Sequence, residues 1–343
     1  MKSILVVQTA WLGDVVLTTP LFRELRRAHP RALLTALVTP LGAEILAGSP
    51  DLDEVVALDK RGGVRSLLRT WRSASRLRAA RFDLALAAQR SFRTGLLLRA
   101  SGAPVRVGFE GSGGAWACTE RVSWVASAHA VERYLALAAP AGGAPGRADP
   151  RPALAVLPRA RDEVSALLAS EGVGADEPRV AVAPGSIWGT KRWLPGGFAE
   201  VARRARERGL RPVLIGAPSE RELCEEVASL AACGAVVLAG RTSIPQMSAL
   251  LAACRLLVSN DSGPGHVASA VGTPVVSVFG PTVPAFGYTP YGEANRIVEI
   301  LGLECRPCHS HGPARCPLGH HRCMREIGAE RVWAAAEEIL ALG

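Results

Sequence analysis

The sequence predicts two consecutive α/β domains, each built on a doubly wound parallel sheet. Three observations carry this. The chain has 343 residues, too many for one ordinary core and suited to two domains of about 150 residues each. Short apolar runs alternate with helical patterns in both halves. Between the halves lies a Pro/Gly-rich stretch, Ala139-Pro140-Ala141-Gly142-Gly143-Ala144-Pro145-Gly146, with Pro150, Pro152 and Pro158 after it, which reads as a linker.

In the first half the strand candidates are Ile4–Val7, Leu33–Val38, Val55–Leu58, Leu84–Ala87 and Val105–Phe109. Helical patterns such as Val15–Ala28 and Val64–Ala80 lie between them. In the second half the strands are Val180–Ala183, Pro212–Ile215, Val236–Leu238, Leu256–Ser259 and Val275–Phe279. Its helices include Phe198–Glu207, Glu220–Ala232, Pro245–Ala253 and Gly265–Ala270. The chain closes on an amphipathic helix with Val332, Trp333, Ala336, Ile339 and Leu340 on one side. The expected division is 1–150, 151–328, and a final helix over 329–343 that is free to pack back on the N-terminal domain. Two such sheets are expected to face a central cleft, with ligands at the carboxyl ends of the strands.

Composition narrows the class. Hydrophobic residues are 48% and charged residues 21%, which excludes a disordered chain. No apolar run approaches the roughly 18 residues of a membrane span. The opening Met1–Val7 is too short for a signal-peptide core and ends at Gln8 and Thr9, so a cytoplasmic location is expected. The net charge of +9 is uneven: residues 1–151 hold 21 Lys+Arg against 12 Asp+Glu, and the rest is neutral. A basic domain seeks anions, whether nucleic acid, acidic membrane or a phosphorylated substrate. Within it, Arg61, Arg65, Arg69, Arg72 and Arg76 line one face of a predicted helix, and no acid lies between Lys60 and Arg81. Either this is a solvated face or it meets the phosphates of an acceptor or an anionic membrane surface.

Three loops can carry chemistry. The first strand runs into Trp11-Leu12-Gly13-Asp14 at a helix start, without the glycine fingerprint of dinucleotide binding. Asp14 reads either as an N-cap or as a general base. The second domain opens with Pro184-Gly185-Ser186, then Lys191-Arg192-Trp193, a loop able to cradle a pyrophosphate. The strongest local signal is Asn260-Asp261-Ser262-Gly263-Pro264-Gly265-His266, a strand, a polar turn and a helix start, which makes an anion site. The N–H groups near Ser262 and Gly263 suit a diphosphate, His266 adds a donor, and Asp261 can accept from sugar hydroxyls. Near the end, Cys305 and Cys308 form one metal half-site, whereas Cys316 and Cys323 are too far apart for an ordinary second one. Free thiols in a compact loop are favoured over a metal held by Cys305, Cys308, Cys316 and Cys323. Cys118, Cys224, Cys233 and Cys254 read as small core fillers.

Taken together, the Gly13-Asp14 loop, the Pro184-to-Trp193 segment and the Asn260-to-His266 segment resemble glycosyltransferase family 9, the ADP-heptose:lipopolysaccharide heptosyltransferases, nearly end to end. The stretch with Cys305, Cys308, Cys316, Leu318-Gly319-His320-His321 and Cys323 is similar to the heptosyltransferase II branch, which adds the second inner-core heptose. The resemblance implies a GT-B fold of two Rossmann-like domains, an inverting reaction, and neither cofactor nor metal. It implies that Asp14 is the base and that Lys191 contacts the donor diphosphate. It further implies that Asp261, Ser262, Gly263 and His266 hold the donor, with Ser186 and Thr242 nearby. Family members often carry Thr where Ser262 stands, which keeps the hydroxyl. Glu220 is a weaker candidate for a nucleoside contact. The implied partners are an ADP-heptose donor, a lipid A-Kdo-heptose acceptor and the anionic cytoplasmic face of the inner membrane, but not nucleic acid. The alternatives are a first-heptose transferase or another GT-B enzyme acting on an acidic glycolipid. A basic nucleic-acid-binding protein would explain the charge but not the neutral half with its anion-site turns.

Overall fold

The computed structural model describes residues 1–59 and 77–342. The chain forms two units, Met1–Ala155 and Val156–Gly343. The first holds strands β1 (Ser3–Gln8), β2 (Leu33–Val38), β3 (Glu54–Ala57), β4 (Leu84–Ala87), β5 (Val105–Phe109) and β6 (Glu120–Val122). The second holds β7 (Arg179–Ala183), β8 (Arg211–Leu214), β9 (Val236–Val237), β10 (Leu256–Asn260), β11 (Val275–Phe279) and β12 (Arg296–Glu299). The sheet orders are β3-β2-β1-β4-β5-β6 and β12-β11-β10-β7-β8-β9. All neighbours run parallel. Counted from its own first strand, the second sheet repeats the order of the first. Each therefore has one point where the strand order reverses, between β1 and β4 in one unit and between β7 and β10 in the other. Side chains beyond the carboxyl ends of those strands enter a crevice that no crossover covers.

The central strands β1, β4, β7, β10 and β11 are buried along their whole length. Helices on both faces leave no polar side, which is why these strands read as continuous apolar runs. The strands that sequence reading passes over, β6 and β12, lie at sheet edges. There Glu120, Arg121, Arg296 and Glu299 interrupt the apolar signal.

One expectation is corrected, and two segments gain a fuller account. The predicted helix Val15–Ala28 is two helices, Leu12–Leu17 and Thr19–Ala28. Pro20 has no N–H to give the Val16 carbonyl, and the Thr19 hydroxyl takes that place at 2.8 Å. The Pro/Gly stretch is fastened to the first unit. His29 Nε2 lies 2.6 Å from the Ala141 carbonyl oxygen, and the Ala144 N–H donates to buried Glu24 at 2.5 Å. The closing helix Ala329–Ala341 packs mainly on helix Pro195–Glu207 and on β10, β11 and β12 of its own unit. Its apolar face is spent there, since Val332, Trp333, Ala336 and Ile339 join the core around Phe198, Val201 and Val298.

Candidate active site

In the first unit the carboxyl ends of β1 and β4 are tied together. The Thr9 hydroxyl donates to Gln89 Oε1 at 2.6 Å, and Gln8 Nε2 donates to Thr18 Oγ1 at 2.9 Å. These bonds hold the loop that leads into helix Leu12–Leu17. Trp11, not Asp14, is the N-cap, and it supplies no side-chain cap bond. Asp14 lies half-buried inside the first turn, so the capping role is not its role. Its Oδ1 accepts a 2.7 Å hydrogen bond from the Tyr134 hydroxyl. Tyr134 belongs to helix Ala130–Ala136, is 3% exposed and stands 120 residues away in the chain. An acid held by a buried phenol has a defined direction, which a proton acceptor needs.

In the second unit Ser186, Lys191, Asp261 and Ser262 follow the ends of β7 and β10. Register pairs Ser259 with Ala183, the last residue of β7, so Asn260 projects one residue further. There the fully buried Asn260 clamps the loop that follows β7. Its Oδ1 accepts from the Trp193 N–H at 2.9 Å. Its Nδ2 donates to the carbonyls of Pro184 at 2.8 Å and Gly185 at 3.3 Å. Ser186 is buried within the clamped loop and accepts from the Trp188 N–H at 3.4 Å. Asn260→Ala is expected to strand the buried Trp193 N–H and Pro184 carbonyl. It should lower the stability of this unit by about 1–3 kcal/mol in urea unfolding followed by tryptophan fluorescence.

Lys191 and Asp261 meet in this crevice. Lys191 Nζ lies 2.6 Å from Asp261 Oδ2, with the two side chains 13% and 9% exposed. The Thr282 hydroxyl donates to the same oxygen at 2.6 Å. Asp261 Oδ2 thus already serves Lys191 and Thr282. Ser262 precedes helix Gly263–Ala270, and its hydroxyl donates back to the Asn260 carbonyl at 3.3 Å. Gly263 opens that helix, and His266 is buried one turn in. Thr242 is half-buried in the loop before the capped helix Ile244–Ala252. Glu220 accepts from the Ala217 N–H at 2.8 Å. A Cβ on Gly185 would fall 2.1 Å from the Glu220 carboxylate, so only glycine lets that acid lie against the loop.

The Cys/His-rich segment braces this crevice. His321 Nε2 lies 2.8 Å from the Thr190 carbonyl, and the Thr190 hydroxyl donates to the Pro313 carbonyl. Buried Arg306 donates to the Thr282 carbonyl at 2.8 Å and to Glu299 at 2.6 Å. Gly312, at φ +81°, packs against Lys191 and Thr190 where a side chain would crowd them. All four cysteines of the segment are free thiols. Burial, and then the charges of Cys308, Cys305 and Cys316, push the Cys323 thiol up to about 11. Burial raises the Cys316 thiol too, but the N–H groups of His321, Leu318, Gly319 and His320 outweigh it and hold it below its ordinary value. Among the described residues no three His, Cys, Asp or Glu side chains are set to hold a metal ion.

Sequence reasoning missed Tyr134, Thr282 and Arg306, and it gave Asn260 no role. Arg61, Arg65, Arg69 and Arg72 lie outside the described residues. Among those described, no helix is long and apolar enough to cross a membrane.

The chain matches the family model described as glycosyltransferase family 9 (heptosyltransferase) over residues 70–316. It is 28% identical over 353 residues to lipopolysaccharide heptosyltransferase 2 of Salmonella typhimurium, covering 99% of both chains. Among solved structures it is similar to a family 9 glycosyl transferase from Veillonella parvula. The TM-score is 0.87 at 25% identity, over 100% of this chain and 98% of that one. It is also similar to E. coli ADP-heptose lipopolysaccharide heptosyltransferase II, with a TM-score of 0.81 at 25% identity, over 100% and 99% of the two chains.

Proposed function

The chain belongs to glycosyltransferase family 9, its two Rossmann-like units are those of the GT-B fold, and from that premise we propose that it transfers heptose from ADP-heptose to the heptosyl-Kdo-lipid A inner core of lipopolysaccharide. The supporting observation is the Lys191–Asp261–Thr282 cluster at the end of β10, in a chain that aligns along its whole length with a lipopolysaccharide heptosyltransferase 2.

In this reading the donor diphosphate sits on the N–H groups at Ser262 and Gly263, with Lys191 as the cation. The leaving ADP gains negative charge in the transition state, and preorganised donors stabilise it there more than in the ground state. Ser186 and Thr242 border the donor, His266 adds a ring nitrogen, and Asp261 Oδ1 is the oxygen available to a sugar hydroxyl. Asp14 takes the proton from the acceptor hydroxyl as that oxygen attacks the anomeric carbon from the face opposite ADP. The configuration inverts in one displacement. No step needs a cofactor. The acceptor is an anionic glycolipid, so the enzyme works at the cytoplasmic face of the inner membrane, and the Arg61–Arg72 stripe meets acceptor phosphates.

The test is turnover of ADP-heptose with lipid acceptors carrying zero, one or two heptoses. The expected result is transfer to the acceptor with one heptose. Transfer only to the heptose-free acceptor would assign the first-heptose reaction. Turnover of a uridine nucleotide sugar, with none of ADP-heptose, would overturn the donor.

A further inference from the structure

The first unit carries an exposed apolar stripe that neither Asp14 nor the crevice beside it uses. Helix Phe92–Ser101 follows β4 and buries Thr94, Leu97, Leu98 and Ser101. Its opposite face presents Phe92 at 59% exposure, Leu96 at 42%, and exposed Arg99. Positions i, i+4 and i+7 stack these three in a line. Trp116, in the turn Ala115–Ala117 that follows β5, is 49% exposed and joins the stripe. Its ring centroid lies 5.6 Å from that of Phe92. The alignment is fixed by backbone rather than by side-chain chance. A Cβ on Gly95 would fall 2.7 Å from Gly114 Cα, so the helix and the turn touch glycine to glycine. An ordinary soluble surface scatters its apolar residues singly, and an aromatic pair on a rigid mount is a different thing.

Along the helix the charge is of one sign. Arg90 and Arg93 flank Phe92, Arg99 continues the line, and no Asp or Glu occurs between Asp83 and Glu110. Among the described residues no ion pair neutralises Arg93 or Arg99. The stripe follows the carboxyl ends of β4 and β5, the end of the sheet that also carries Asp14 and the 59% exposed Trp11. Aromatic rings with flanking cations suit the boundary between acyl chains and anionic headgroups, where the ring enters and the guanidinium stays at phosphate level.

We propose that Phe92, Leu96 and Trp116, with Arg93 and Arg99, form the surface by which the first unit docks on an anionic lipid membrane. This rests on the reading that the acceptor is a membrane glycolipid. It deepens that reading by naming the contact. Docking through this end of the sheet brings a lipid-anchored hydroxyl to the side of the unit where Asp14 lies.

The experiment is co-sedimentation of the full chain with vesicles of phosphatidylglycerol and phosphatidylcholine, or of phosphatidylcholine alone. The wild type should bind the anionic vesicles and release them in high salt. Phe92→Ser/Trp116→Ser should weaken that binding at least about tenfold. Its melting temperature should hold, since both rings face solvent. Arg93→Gln/Arg99→Gln should reduce the preference for anionic over neutral vesicles. For turnover, the aromatic double variant should raise KM for the lipid acceptor and leave KM for a soluble, deacylated acceptor unchanged. Wild-type sedimentation by the aromatic variant would overturn the proposal. So would a wild-type dimer that this variant dissolves, because the stripe would then meet a second copy. Failure of the heptosyltransferase reading itself would appear elsewhere, as no turnover of ADP-heptose by the wild type on the soluble acceptor.

Discussion

Asp14→Asn is expected to lower kcat by about two orders of magnitude or more, the range of a lost general base, with ADP affinity little changed. The substitution is nearly isosteric and keeps an oxygen able to accept the Tyr134 hydroxyl bond, so the helix start and its 2.7 Å anchor survive. What it removes is the capacity to take a proton. Tyr134→Phe makes the complementary change. It leaves the acid in place without that one bond and should cost about tenfold in kcat, the scale of one charge-assisted hydrogen bond. The single-turnover rate with saturating donor reads both effects without interference from product release. Near-normal turnover by Asp14→Asn would end the assignment. A Tyr134→Phe enzyme as slow as Asp14→Asn would instead mean that the phenol takes part in the chemistry.

Lys191→Ala should weaken ADP binding by about 1.5–3 kcal/mol, roughly tenfold to a hundredfold in Kd. The same change takes from Asp261, 9% exposed, the cation that pairs with it and leaves the Thr282 hydroxyl bond. A carboxylate so placed is costly, so the melting temperature should fall as well. Calorimetric titration with ADP separates the two possible roles of the lysine. If the ion pair is only structural, the variant melts early but binds ADP as the wild type does.

How much of this is legible in the sequence follows from the range of the interactions. The central strands are readable because burial on both faces writes an unbroken apolar run, as in Leu256–Ser259. The edge strands β6 and β12 are not, because solvent on one side admits Glu120 or Arg296. Pro20 broke a helix that periodicity alone continues, although its missing N–H was visible in advance. Asp14, Lys191 and Asp261 stand in short motifs at strand ends, and local order exposes them. Tyr134, Thr282 and Arg306 act on those residues from 120, 21 and, through the Thr282 carbonyl, 24 positions away. Only the closed sheet brings such pairs together, so no window of sequence contains them. Asn260 is the instructive case. It stands within the strongest motif, yet its work is to grip Pro184 and Trp193, a task that a linear motif does not describe.

In the proposed donor site, the Lys191–Asp261 pair bears on how ADP leaves. Before any nucleotide arrives, the lysine already has an anion at 2.6 Å. A diphosphate must share Nζ with that carboxylate or draw it away, so Asp261 is a tethered competitor whose effective concentration never falls. Entry is tempered by it, and exit is helped. Once the sugar has left, ADP faces a rival that cannot diffuse off, and recapture of Nζ by Asp261 returns the crevice to its resting state.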